Sequence, residues 1–428
     1  MTNRDAIILL CSSLCVGENH QPFTNVQISK IIDKLNEKEF ELKDLVSLSR
    51  NELNNIFFDK DQLEDVKEIT FIDRIVELLK RQGSIAFDIM ELKDKGIHLL
   101  TIYDDKYPKL FLEKLGNKAP AILYYIGNLD LLDRKYIGFS GSRLKKTDSS
   151  DEKITNLWSK AANENGYGTI TGGATGIDTY ATQESIRNNY HFIEFVSDSL
   201  ANRAKIVKIA KSLQEGRCLL LSETNPYAKF NVGMAMARNK YIYLLSHRTI
   251  VVKAQYSVKN KKKTGGTWNG AIENLKSNYT NVCVIKNNKV NGNKELEELG
   301  CPSITTPDDH MSFDIVFGKK YEIIEPVQQI ETKKEIIKDN ILSPEEVDKN
   351  IKLLTILKEP NTIYEVKLTE KEKNNIEKIK HAISKVEKSI DELSTGNKTT
   401  DKKIIKYVLK KYEDSLKPKI KQITLFDF

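Results

Sequence analysis

A chain of 428 residues is longer than one hydrophobic core usually serves, roughly 250–300 residues, so two or three domains are expected. Charged residues make up 30% and the mean hydropathy is −0.44, and no apolar run reaches the ~18 residues of a membrane-spanning helix, so a membrane protein is not expected. A net charge of +7 and a pI near 8.8 lean toward polyanionic partners, although a lysine-rich composition alone gives the same lean.

The chain opens on the apolar segment Ala6–Gly17, which lacks the basic leader and the small-x-small cleavage site of a signal peptide. It is therefore expected to be the first helix of a helical domain over residues 1–95. Apolar positions three and four apart in Val26–Leu35 and Phe71–Leu79 carry the same period. Ser49, three residues before Glu52, predicts a capping box that opens a helix through Ile56.

From about residue 97 to 310, short β-branched runs alternate with amphipathic stretches. The predicted strands are Ile97–Tyr103, Tyr136–Ser140, Thr169–Thr171, His191–Val196, Cys218–Ser222, Tyr241–Leu245, Thr249–Lys253 and Val282–Lys286. This alternation predicts an α/β fold, a Rossmann-like, doubly wound and mostly parallel sheet over residues 96–325, with ligands at the carboxyl ends of its strands. Beyond Pro326 a helical, lysine-rich C-terminal region is expected over residues 326–428, broken at Ser394–Thr400.

Three glycine turns follow predicted strands. The first, Gly138-Phe-Ser-Gly-Ser-Arg143, contributes Gly141, Ser142 and Arg143, whose guanidinium suits a phosphate. The second, Thr171-Gly-Gly-Ala-Thr-Gly-Ile-Asp178, contributes Gly172, Gly173, Gly176 and Asp178. Glycines let the backbone approach a phosphate closely, and the helix start that follows offers unpaired N–H groups. Asp178 has two readings: it orders the loop, which is favoured because a bare carboxylate would repel phosphate, or it touches a ribose or base. The third turn, Lys263-Thr-Gly-Gly-Thr267, follows Lys261 and Lys262 and contributes Gly265, Gly266 and Thr267. Trp268 either packs under the next helix or stacks a base. Arg238 and Asn239, just before the predicted strand Tyr241–Leu245, join these turns as candidate phosphate contacts, Arg238 as a cation.

The order of these pieces resembles the DNA-processing protein A (DprA/Smf) family. Asp105-Lys-Tyr-Pro108, Pro120–Asn128, Gly141-Ser-Arg143, Thr171–Asp178, Leu221-Ser-Glu223, Arg238-Asn239 and Thr264-Gly-Gly-Thr267 are similar to its motifs in sequence order. The resemblance implies a protein that binds single-stranded DNA and helps load the RecA recombinase in DNA uptake and recombination, commonly as a homodimer. Departures from the family pattern stand at Thr175, Thr182 and Lys253. The wider superfamily holds nucleotide-sensing and nucleotide-hydrolysing proteins of the LOG type, and that alternative, with a role in phage defence, stays open. The carboxylate such hydrolases carry after the third turn is missing from its place.

The five cysteines and six histidines show no metal-ligand spacing, and no nucleophile elbow occurs, so neither an enzyme nor a cofactor is expected. Reduced thiols point to a cytoplasmic protein. The terminal Gln422-Ile-Thr-Leu-Phe-Asp-Phe428 resembles the short peptide by which bacterial proteins dock on the β sliding clamp. Gln422, Leu425 and Phe426 would make that contact, or Leu425 and Phe426 would fold back onto the protein's own core.

Overall fold

The computed structural model describes residues 1–15, 21–60, 62–63, 65–141, 149–255, 265–287 and 291–318. The C-terminal expectations, including the docking peptide, lie outside these residues, as do Ser142, Arg143 and Lys261 to Lys263.

Five helices come first: α1 (Asn3–Cys11), α2 (Asn25–Glu37), α3 (Arg50–Phe58), α4 (Val66–Lys80) and α5 (Gln82–Asp94). Local chemistry starts three of them. Thr2, Thr24 and Ser49 each accept from the backbone N–H three residues on, and Asp5, Gln27 and Glu52 return a bond to the cap, as the Ser49–Glu52 spacing predicts. Arg81 closes the other end of α1, donating to the carbonyls of Leu9, Ser12 and Leu14 that the helix cannot satisfy itself.

The sheet has nine strands: β1 (His98–Thr101), β2 (Ile122–Gly127), β3 (Tyr136–Gly141), β4 (Gly168–Thr171), β5 (Phe192–Phe195), β6 (Cys218–Ser222), β7 (Arg248–Lys253), β8 (Asn281–Ile285) and β9 (Ser303–Ile304). Between them run α6 (Lys109–Leu115), α7 (Ser149–Glu164), α8 (Ile177–Arg187), α9 (Leu200–Ala204), α10 (Val207–Gln214), α11 (Val232–Ala237), α12 (Asn239–Leu244), α13 (Gly266–Ser277), α14 (Asn291–Glu298) and α15 (His310–Phe317). The spatial order is β1-β2-β6-β5-β4-β3-β7-β8-β9. Strands β3 to β9 pair parallel, while β1 and β2 add an antiparallel edge. From β3 the chain winds one way through β4, β5 and β6, then returns to β3's other side as β7. The switch between β3 and β7 is where a doubly wound sheet opens a crevice at its carboxyl edge.

Both faces are covered, so strand residues alternate between two cores. Along β6, Cys218 and Leu220 face a cluster shared with α1, α2 and α4, whereas Leu219 and Leu221 face one shared with α6 and α12. Along β7, Ile250 and Val252 meet α7 and α15, and Val251 meets α13. Double burial explains why these strands read as continuous apolar runs. The N-terminal helices share their core with β1, β2, β5 and β6.

One predicted strand is corrected. Tyr241–Leu245 lies mostly within helix α12, and Tyr241, Ile242, Tyr243 and Leu244 are all buried. A short segment buried all round shows no helical stripe, so periodicity cannot tell it from a central strand.

His191 precedes β5 with 8% exposure, its ring against Tyr190 at 4.4 Å and Tyr136 at 5.3 Å. Burial, helped by Arg134, pushes its pKa down to about 4. The unfolded chain, at about 6.5, then binds more protons between those values. Its contribution is complete above the unfolded value and is lost as pH falls toward about 4, on the order of 2–3 kcal/mol. In urea unfolding compared between pH 7 and pH 4.5, His191→Phe should lose less stability than the unsubstituted protein.

Candidate nucleic-acid interface

The three glycine turns follow β3, β4 and β7, which are neighbours in the order β4-β3-β7. All three therefore open at one carboxyl edge, at the topological switch. Three close approaches tie them together, each where a side chain is missing.

Gly141 ends β3, and a Cβ there would stand 2.2 Å from Cγ1 of Ile177, the first residue of α8. The end of the first turn's strand thus lies under the helix that leaves the second. The guanidinium of Arg238, at the junction of α11 and α12, lies flat against Gly172, where a Cβ would fall 1.3 Å from Nη1. Asn239, the next residue, donates through Nδ2 to the carbonyl of Gly266 at 3.2 Å and lies against Gly270 of α13. One dipeptide junction thus holds the second turn with one side chain and the third with the other. Arg238 is 2% exposed, so its guanidinium forms part of the turn's support rather than a surface charge.

Asp178 stands in the first turn of α8 with 6% exposure, and its Oδ2 accepts from the N–H of Gly172 at 3.0 Å and of Ala174 at 3.2 Å. These are the bonds of a loop-ordering role. Gly173 and Gly176 have φ of +65° and +87°, backbone that favours glycine. Gly173 also donates to Thr171 Oγ1 at 3.2 Å. Gly265 caps α13, its N–H bonded to the carbonyl of Gln255 at 3.2 Å, and Thr267 is buried beside it. Trp268 packs with Tyr243, Val251, Ala271 and Leu296, so its ring is not a platform for a base.

Lys253, which departs from the family pattern, is engaged by Asp151 at 2.6 Å, with the two side chains 17% and 7% exposed. Thr182, a second departure, donates to Glu194 at 3.0 Å and meets Thr171 at 3.3 Å. Tyr107 of the Asp-x-Tyr-Pro segment donates to the carbonyl of Pro120 at 2.7 Å and packs on Phe111, fixing the entry to β2. Tyr241 donates to Glu223 at 2.5 Å at the end of β6.

Exposed aromatic residues that motif reasoning passes over follow β6. The segment between β6 and α11 exposes Tyr227 at 48%, Phe230 at 50% and Val232 at 64%. Lys95 lies 5.4 Å from the Tyr227 ring. Two aromatics without helical or strand period, in a stretch holding Asn225, Pro226 and Asn231, were the available signal. Among the described residues no cluster of metal-ligating side chains occurs, and no helix is long and apolar enough to cross a membrane.

Comparison with solved structures gives three informative overlaps. The X-ray structure of DNA processing protein A from Streptococcus pneumoniae aligns at 21% identity over 73% of this chain and 98% of that one, with a TM-score of 0.54, which shows a shared fold. DNA processing protein A from Helicobacter pylori, described for its single-stranded DNA binding mode, aligns at 23% identity over 51% of this chain and 96% of its own, with a TM-score of 0.41. A molybdenum cofactor binding protein from Rippkaea orientalis overlaps at 15% identity, 42% of this chain and 94% of its own, with a TM-score of 0.30. No curated protein matches the sequence significantly. Residues 98–313, half of the chain and the whole sheet from the start of β1 into α15, match the family model of DNA recombination-mediator protein A, and the chain belongs to that family.

Proposed function

We propose that this protein binds single-stranded DNA along the carboxyl edge of its sheet and acts in DNA recombination as a binding protein rather than a catalyst. One observation carries the reading: three glycine turns on three adjacent strands are locked to one another, so the starts of α8 and α13 open at one continuous edge. Helix starts set side by side fit a repeating sugar-phosphate chain and carry no base preference. Arg143 and the Lys261 to Lys263 loop supply cations at the ends of the first and third turns. The family membership supports the same ligand.

The decisive titration sets the purified full chain against oligo-dT, duplex DNA and dTMP at several salt concentrations. Oligo-dT should bind most tightly, with log affinity falling linearly in log salt. Replacing Lys261, Lys262 and Lys263 together by alanine should make that slope shallower by about 2, at ~0.7 per single-strand phosphate contact. An unchanged slope, or a preference for dTMP, contradicts the reading.

Tyr227 and Phe230 supply stacking faces beside that edge. Tyr227→Ala and Phe230→Ala should each cost about 1 kcal/mol or more of oligo-dT binding while leaving the salt slope in place. A loss confined to the slope would assign these residues to another task.

The same reading extends to partners. The protein works in the cytoplasm, as a homodimer, delivers its strand to RecA, and docks on the β sliding clamp through Gln422, Leu425 and Phe426. Deleting residues 422–428 should abolish clamp binding in surface plasmon resonance without changing oligo-dT affinity; clamp binding that survives the deletion removes this part of the proposal.

A further inference from the structure

Strand β5 carries a carboxylate where the alternation calls for an apolar side chain. Glu194 stands between Phe192 and Val196 on the face covered by the N-terminal helices and α9, and it is 0% exposed. Arg203, near the end of α9, holds it with two bonds, Nε to Oε2 and Nη2 to Oε1, each 2.5 Å. Thr182 adds a third at 3.0 Å.

Stability does not explain this arrangement. Taking a carboxylate and a guanidinium out of water costs several kcal/mol, and an apolar pair of similar volume is usually as stable or more so. What the pair does accomplish is placement. In the sheet Glu194 lies beside Thr171, the last residue before the second glycine turn. A Cβ on Gly173 would lie 3.1 Å from Val196 Cγ1, 3.2 Å from Glu194 Oε2 and 3.3 Å from Arg203 Nε, so the ion pair, beside Val196, packs against the bare side of that turn. The Arg203 side chain is 19% exposed, and its Nη1 makes no hydrogen bond among the described residues. Asp178, which orders the same turn, adds a second negative charge facing Arg203 and favours its charged form.

We propose that Arg203 is a phosphate-contacting residue of the strand-binding edge, and that Glu194 is the positioning residue that aims its free N–H edge past Gly173. The proposal rests on the single-stranded DNA reading above and extends the path of the strand from the second turn across β5 toward Tyr227 and Phe230. The ligand group is a backbone phosphodiester, which requires no chemistry beyond ion pairing and hydrogen bonding.

Two variants that differ by one cation test it: Glu194→Gln, which keeps Arg203 and its hydrogen-bonding partner, and Glu194→Gln with Arg203→Met. The second should bind oligo-dT about tenfold more weakly than the first at equal salt, the loss of one charge-assisted contact. Its log–log salt slope should be shallower by about 0.7. Glu194→Gln with Arg203→Lys should recover the slope without the full affinity, because lysine lacks the planar fork. A merely structural role predicts equal slopes in all three. Thermal unfolding checks that each variant is folded. Should the glutamine variants fail to fold, the apolar pair Glu194→Leu with Arg203→Met, compared with the unsubstituted protein, still reads the affinity loss.

If the unsubstituted protein binds oligo-dT while the Gln and Gln/Met variants bind it equally, the Arg203 assignment falls and the wider reading stands. If the unsubstituted protein does not bind oligo-dT, both fall. If Arg203→Met weakens dTMP binding as strongly as oligo-dT binding, the site belongs to a free nucleotide and the assignment to a strand is overturned.

Discussion

The edge of this sheet depends on a contact that any side chain at residue 172 would destroy. The Arg238 guanidinium occupies the space where a Cβ of Gly172 would be, 1.3 Å from Nη1. Neither the guanidinium's place nor the turn's path is available without that glycine. Because Asn239 follows Arg238 directly and grips Gly266, the position of the second turn also sets that of the third. Gly141 beneath Ile177 brings in the first by the same kind of exclusion. Turns fixed in this way suit a repeating anion, since little ordering remains to be done on binding.

Electrostatics divides the edge into two layers. Beneath the turns, charges are spent on each other: Lys253 on Asp151, and Asp178 on the N–H groups of Gly172 and Ala174. These pairs hold geometry and add little net charge. Arg203 keeps an N–H edge beyond its pair with Glu194, and Arg143 and Lys261 to Lys263 are the cations that the sequence sets next to the first and third turns. Affinity that is strongly salt-dependent and shape that is salt-independent are the expected result of that division.

Much of the fold was legible because doubly buried strands leave long apolar runs that end in glycine. Cys218–Ser222 has the bounds read from sequence, and Tyr136–Ser140, Thr169–Thr171 and Thr249–Lys253 extend by one residue each. Tyr241–Leu245 was not legible as a helix, because burial on every side erases the period that marks one. The turns themselves could be found from glycine spacing, but not what packs on them. Nothing in Arg238-Asn239 says that one side chain turns toward Gly172 and its neighbour toward Gly266, and that division follows only from where α11 and α12 cross the edge. Glu194 is the same case: one acid inside His191–Val196 looks like a flaw in a strand until Arg203 arrives from α9.

The central claim is that one continuous edge, built from three turns, receives the strand. Hydrogen exchange of the full chain with and without oligo-dT tests it most directly, because the helix starts of α8 and α13 present backbone N–H groups there. The account predicts slowed exchange together in the segments 138–148, 171–178 and 263–270, with the opposite edge of the sheet unchanged. Protection in only one of these segments, or at the amino ends of the strands instead, would contradict it.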